Sequence, residues 1–357
     1  MESSIMWHYI RQEPDILLKL FRSPQTDIFA KDKGGGLKAV YFIAHGSSFN
    51  AAVSTLGYFV KAAGIRAYAY TPGNFCTGNT PVAHEDPAST LVIVISQTGT
   101  SSGTIKALEY ASVLGFDTLS ITAGKGSPVD VKADDTLYLF CGEENSNAKT
   151  KGYSATLMTL MMLALSLGLE NGTLDIVQKK AGLNELESII GKIPEVEEKA
   201  LDFCKKAKIG RAMRDLYVLS SGMNFGTAQE GQLKLMETMC MPTMFNDIGE
   251  FSHGMHRSID RESSVLLIKS CDGMKDQIEQ SYQYLKNITD HVWMIDATGE
   301  ASDDASRFCV PSFAGTQSVL LTTLVIQVMS VYAPEYNGKD PNRDSHNDFT
   351  VVAGTRS

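Results

Sequence analysis

This 357-residue chain lacks a long uninterrupted apolar run. The longest largely apolar stretch, Leu157 to Leu165, is about half of what a bilayer crossing requires, so no span is expected. The opening Met-Glu-Ser-Ser lacks a basic segment followed by an apolar one, and no secretory signal is expected. There is no Cys-x-x-Cys. Cys76, Cys141, Cys204, Cys240, Cys271 and Cys309 stand far apart, which speaks against a zinc or disulfide framework and for free thiols in a reducing, cytoplasmic setting. A basic stripe is also missing. With a formal net charge of −9 the chain is a poor partner for nucleic acid, whose binding depends on neutralising phosphates. A small anion is still admissible, because backbone N–H groups can hold one whatever the net charge. Finally, neither Gly-x-Gly-x-x-Gly nor a Walker loop occurs, which disfavours a dinucleotide or ATP.

What is present fits a folded protein: 43% apolar and 20% charged residues, enough for two domains of roughly 150 residues each. The chain is also written twice. VYFIAHGSSFNAA at 40–52 aligns with LYVLSSGMNFGTA at 216–228, putting Gly46 on Gly222, Phe49 on Phe225 and Ala52 on Ala228. LVIVIS at 91–96 pairs with VLLIKS at 265–270 at nearly the same offset, and two matches at one spacing indicate duplication of a whole domain. In the first copy, short apolar runs at 40–44, 66–70, 91–95, 118–122 and 136–140 read as strands. Helical spacing separates them, at Ala51 to Ala63 and Thr104 to Gly115 for example. The second copy repeats the pattern at 216–220, 243–246, 265–268, 292–296 and 308–311. Such alternation predicts an α/β protein with a parallel sheet in each copy, covered by helices on both faces. An amphipathic N-terminal helical segment (Trp7 to Phe21, within 1–30) precedes the first domain (31–170). A helical connector (171–210) leads to the second domain (211–335), and a polar C-terminal tail (336–357) follows.

In open α/β sheets ligands bind beyond the C-terminal strand ends. Two loops of the first copy fall there: His45-Gly46-Ser47-Ser48, ahead of a helix expected near Asn50, and Ser96-Gln97-Thr98-Gly99-Thr100-Ser101-Ser102, ahead of one near Gly103. Each joins exposed helix-start amides to small hydroxyls, a combination that stabilises a phosphate dianion without lysine. Ser and Thr serve equally well there as plain N-caps. A third polar loop, Gly142 to Gly152, precedes an apolar helix.

In the second copy Glu230, Lys234 and Glu237 share one helix face, which is compatible with a solvated Glu–Lys pair or with a site. Asp247 to Gly254 forms another glycine-flanked loop, carrying His253. A Glu and a His brought together could open a sugar ring and move a proton between carbons. His253 and His256 have no third metal ligand at a useful spacing, so no metal is expected.

On these motifs the sequence resembles the sugar isomerase (SIS) domain family. It is most similar to the tandem-SIS half of glucosamine-6-phosphate synthase and to the amino-sugar deglycases and deaminases. The likeness rests on Ile10-Arg11-Gln12-Glu13-Pro14, Gly46-Ser47-Ser48, Ser96-Gln97-Thr98-Gly99, and Glu143-Glu144 with Thr150-Lys151-Gly152. It continues through Glu230-Gly231, Leu233-Lys234-Leu235, Glu237, Gly249-Glu250-Phe251 and His253-Gly254. The resemblance implies two flavodoxin-like SIS domains in a homodimer or higher homo-oligomer, with no cofactor. It implies that Gly46, Ser47, Ser48, Ser96, Gln97, Thr98 and Ser101 hold a sugar phosphate. Glu237 would move a proton between C1 and C2, and His253 would assist ring opening from the neighbouring subunit. Lys234 and Glu230 would support the site.

Where the synthase has a tail lysine, this chain reads Arg343-Asp344-Ser345-His346-Asn347-Asp348, and His346 is the residue placed to substitute for it. Lys149 replaces a small residue ahead of Thr150-Lys151 and would put a positive charge near the pocket. The chain has no glutaminase domain, so ammonia production from glutamine is not expected. The Thr-Lys-Gly-Tyr run and the free-standing length favour a deglycase or deaminase of a 6-phosphorylated amino sugar or sugar–amino-acid conjugate. An aldose–ketose isomerase and a non-catalytic phosphosugar sensor are the alternatives.

Overall fold

The computed structural model describes residues 3–78, 80–346 and 348–354. Asn347, within the tail segment singled out above, lies outside them. Two compact units form, each built on one five-stranded parallel sheet.

The first sheet contains β1 (Ala39–Ile43), β2 (Arg66–Tyr70), β3 (Thr90–Ile95), β4 (Asp117–Thr122) and β5 (Asp135–Tyr138), in the order β2-β1-β3-β4-β5. This is the flavodoxin-like order, with its topological switch between β1 and β3. Three N-terminal helices come first in the chain: α1 (Ile5–Arg11), α2 (Glu13–Phe21) and α3 (Gln25–Lys33). The one amphipathic helix expected from Trp7 to Phe21 is thus broken at Gln12, which puts Pro14 in the first turn of α2, where its missing N–H costs no helix bond. Helix α1 belongs to the unit of the second sheet; the unit of the first sheet also holds α4 (Gly46–Tyr58), α5 (Pro72–Cys76), α6 (Ser102–Val113), α7 (Pro128–Lys132) and α8 (Lys151–Glu170).

Successive strand residues alternate between the two faces of a sheet. Tyr41, Ile43, Val92 and Val94 therefore pack on one side with Ala107, Leu108 and Ala111 of α6. From the other face, Phe42 meets Phe59 edge-on, 4.9 Å between ring centroids. Edge strand β5 is closed by a side chain: Gln25 donates to the Tyr138 carbonyl and accepts from its N–H (2.9 and 2.8 Å). That pairing blunts an edge which would otherwise be open to another strand.

The second sheet is β10-β9-β8-β6-β7, the same order read from the opposite end. After α9 (Ile176–Ala207) come β6 (Leu216–Ser220), α10 (Asn224–Met239), β7 (Thr243–Asp247), α11 (Ile248–Phe251), β8 (Val265–Lys269), α12 (Lys275–Leu285), β9 (Val292–Asp296) and β10 (Arg307–Cys309). Helix α13 (Val319–Tyr336) and a short α14 (Phe349–Val352) complete the chain. One face of this sheet packs Tyr217, Leu219, Val265 and Leu267 against Ile278, Tyr282 and Leu285 of α12. On the other face Gly231 of α10 fits between Ile326 of α13 and Val218 of β6.

Two helices, α8 and α13, are long and apolar enough by length and composition to cross a membrane. The expectation of no span rested on the longest uninterrupted run and did not single out these two helices. Their most apolar windows are 94% and 89% buried within the protein, as central packing helices.

Candidate functional site

The β1–α4 loop ends sooner than expected. Helix α4 begins at Gly46 instead of near Asn50, so Ser47 and Ser48 lie in its first turn and are half-buried. Gly46 adopts φ +54°, and its repeat partner Gly222 adopts +57°, a region that side chains rarely enter. The N-cap of α4 is His45, whose side chain makes no capping bond. Its imidazole lies against Gly103 of α6: a Cβ built there would stand 2.7 Å from His45 Cε1. Burial of that ring face lowers its pKa from the ordinary histidine value.

The β3–α6 loop sits beside it, across the switch point. Ser96 is buried, and its N–H donates to the Ile121 carbonyl (3.1 Å). The Thr98 and Thr100 hydroxyls pair at 3.0 Å. Ser101 is the N-cap of α6 and makes no side-chain capping bond. Plain capping was the alternative for these hydroxyls, and at Ser101 it does not occur. At Asp247, by contrast, the N-cap carboxylate accepts from the Gly249 and Glu250 amides (2.8 and 3.3 Å). The glycine-flanked segment after β7 is therefore a capped helical turn, α11, and not an open loop.

Gln97 is fixed from three directions. Its carbonyl accepts from Ala123 N–H (2.9 Å), and its Nε2 donates to Glu144 Oε2 (3.0 Å). Its amide lies flat on Gly152, where a Cβ would come within 2.3 Å of all three terminal amide atoms. Glu144 is 6% exposed and also accepts from Gly152 N–H (3.1 Å), so one carboxylate anchors Gln97 and the start of α8 together. Cys141 lies near the same amide, with its thiol pushed up to about 11, chiefly by burial. The sequence motif names Glu143-Glu144 together with Thr150-Lys151-Gly152, and the structure shows that Glu144 is the residue joining the two loops. The tail returns to this place: Ser102 Oγ donates to the Gly354 carbonyl (3.1 Å). His346 is exposed and adopts φ +59°.

The other unit carries the acid–base candidates. On α10, Glu230 and Lys234 are completely buried and paired, Nζ to Oε1 2.8 Å. A solvated Glu–Lys pair is thereby ruled out. Glu237, one turn further, is half-exposed. His253 follows α11 with its side chain exposed and its N–H bonded to the Glu250 carbonyl (2.9 Å). Lys149 donates to the Ser146 carbonyl (2.8 Å), tied within its own loop. Asn147 in that loop is held by the chain after α13: its N–H donates to Asn342 Oδ1 (3.2 Å) and its amide to the Arg343 carbonyl (3.1 Å). Arg343 in turn donates to the Thr238 carbonyl at the end of α10 (2.6 Å). Among the described residues no group of three or more His, Cys, Asp or Glu is arranged to hold a metal ion.

The SIS domain family matches residues 37–166, which span the whole first sheet and most of α8. A glutamine–fructose-6-phosphate aminotransferase (isomerizing) from Clostridium tetani is 27% identical over 88% of the chain. The chain spans about half the length of the curated relatives it matches, 52% in this case. A candidate phosphosugar isomerase from Clostridium difficile 630 superposes with a TM-score of 0.90 at 23% identity, covering 99% of both chains. Glucosamine-6-phosphate deaminase from Thermotoga maritima does so at 0.78 and 20% identity, covering 96% of this chain and 98% of its own. At these identities the superpositions speak for the fold.

Proposed function

We propose that this chain, whose residues 37–166 match the SIS domain family, is a deglycase or deaminase of a 6-phosphorylated amino sugar or sugar–amino-acid conjugate. The observation that carries the reading is the first switch point. Two helix starts meet there, and neither N-cap side chain, His45 or Ser101, makes a capping bond. Exposed amides and hydroxyls at two helix N-termini favour a phosphate dianion. That anchor holds the substrate while chemistry proceeds at C1 and C2.

In the proposed reaction the ring opens with help from His253 of a neighbouring subunit. Glu237 takes a proton from C1 of the amino ketose and returns it at C2. The C1–N bond becomes an imine, and the C2 carbonyl becomes a hydroxyl. Water adds to the imine carbon, the amine leaves with the proton it needs, and an aldose 6-phosphate remains. Glu237 is suited to this by its half-exposed place on α10. The buried Glu230–Lys234 pair one turn earlier holds that helix face in a single packing arrangement. The substrate's own carbonyl or imine stabilises the enediol-type intermediate.

The test is release of glucose 6-phosphate, coupled to a dehydrogenase. The panel holds glucosamine 6-phosphate, ε-fructoselysine 6-phosphate, α-linked fructosyl amino acid 6-phosphates and glucoselysine 6-phosphate, each also scored for fructose 6-phosphate. We expect turnover of one member and a loss of at least about 100-fold in Glu237→Gln. Full activity in Glu237→Gln removes the assignment. Interconversion of aldose and ketose phosphates without amine release would make the protein an isomerase. Binding without any turnover would make it a sensor.

A further inference from the structure

Helix α10 carries the candidate base in its last turn. Glu237 lies there, and the helix stops at Cys240, whose φ of +49° is left-handed. The last carbonyls of a helix have no intrahelical partner and must find one elsewhere. In α10 the Met236 carbonyl accepts from Cys240 N–H (2.9 Å), and the Glu237 carbonyl from the Cys240 thiol (3.6 Å). The Thr238 carbonyl, on a completely buried residue, accepts from Arg343 Nη1 at 2.6 Å. A charged donor makes a shorter and stronger bond than a neutral one, so this is the firmest of the three.

Arg343 reaches α10 from a turn that is itself fixed. Its N–H and its Nη1 both donate to the Asp340 carbonyl (3.2 and 3.0 Å), and Asp340 Oδ1 accepts from Asn342 N–H (2.8 Å). The same turn holds the polar loop around Asn147. The Arg343 carbonyl accepts from Asn147 Nδ2 (3.1 Å), and Asn342 Oδ1 accepts from Asn147 N–H (3.2 Å). Asn342 Nδ2 donates in turn to Ser4 Oγ, the N-cap of α1 (3.1 Å). Arg343 therefore ties two segments that lie far apart in the chain: the end of α10 and the Asn147 loop.

We propose that Arg343 is a positioning residue for Glu237. It holds the last turn of α10 and the Asn147 loop in the one arrangement in which the Glu237 carboxylate reaches the proton it moves. This rests on the reading of Glu237 as the base, and gives the chain after α13 a role that does not pass through His346. Proton transfer between carbons is sensitive to where the base sits, and a misplacement of about 1 Å can cost about 100-fold. The plainer alternative is an arginine that only caps a helix end. Such a cap would add stability and leave the chemical step of each folded molecule unchanged.

The test uses the substrate found with the panel, with and without deuterium at the carbon that loses the proton. We expect Arg343→Met to lower kcat by about 10- to 100-fold with KM little changed, and to raise the isotope effect on kcat, because a misplaced base slows proton transfer alone. Arg343→Lys, which keeps a charged donor, should recover part of kcat. Thermal unfolding shows that each variant is folded, and Arg343→Gln takes the place of Arg343→Met if the latter is not. A folded Arg343→Met protein with wild-type kcat and isotope effect, in an enzyme that Glu237→Gln inactivates, overturns this inference and leaves the base assignment standing. A lower kcat with a reduced isotope effect means that another step has slowed, and it overturns the inference as well. Full activity in Glu237→Gln, or no turnover by the wild type, overturns both.

Discussion

Gly152 shows how closely a single residue can be tied to its neighbours. It is the second residue of α8, and its missing side chain is the space that the Gln97 amide fills. An added methyl group would push the amide away from Glu144 and break the 3.0 Å bond that aims it. We expect Gly152→Ala to raise KM for the sugar phosphate about fivefold, the equivalent of one lost hydrogen bond, with kcat little changed. Steady-state kinetics on the substrate identified from the panel decide this. An unchanged KM would mean that Gln97 does not need this anchor. Glu144 enters the sequence reading only as part of a motif, because Gln97, the side chain it holds, lies 47 residues away in the chain.

At the scale of an element, α10 is the most informative. Its Glu-Lys spacing is what an exposed helix uses for weak surface pairs, worth a few tenths of a kcal/mol. Here β6 and α13 cover that face, and Lys234 and Glu230 have no exposed surface. Burial changes the energetics. Removing one partner leaves an uncompensated charge in a low-dielectric interior, at a cost of about 3–5 kcal/mol. Lys234→Met should therefore lower stability by about that amount in urea unfolding. The double variant Glu230→Leu/Lys234→Met should regain most of it, since a buried pair replaced by apolar residues of similar volume is often neutral. A single variant as stable as the wild type would contradict the buried pairing.

At the scale of the whole molecule, the exposure of His253 matters. If it completes a site in a neighbouring subunit, activity belongs to the oligomer and not to one chain. Glu237→Gln and His253→Ala proteins, each inactive alone, should then complement when unfolded and refolded together. Random assembly into dimers makes half the molecules mixed, each with one intact site, giving about a quarter of wild-type activity. No recovery on mixing would place Glu237 and His253 of the same chain in one site.

The sequence by itself determined the fold class, the duplication and nearly every strand. β2, β6 and β9 begin and end where the apolar runs do. That legibility has a physical reason: strands buried on both faces are continuous β-branched and aromatic runs, and turn residues bound them. Sequence also located the hydroxyl loops, because helix starts after strands are marked by Gly, Ser and Thr. What only the tertiary structure decided is which of those polar groups are already satisfied. N-capping and anion binding use the same residues. They differ only in whether the amides have found a partner within the chain, and that partner can lie tens of residues away. In the second copy Asp272 accepts from Ser221 Oγ and Gln317 from Met223 N–H, whereas the N-cap side chains His45 and Ser101 of the first make no capping bond. The loops of the two copies share a spacing, and contacts from residues tens of positions away decide which of their polar groups are satisfied.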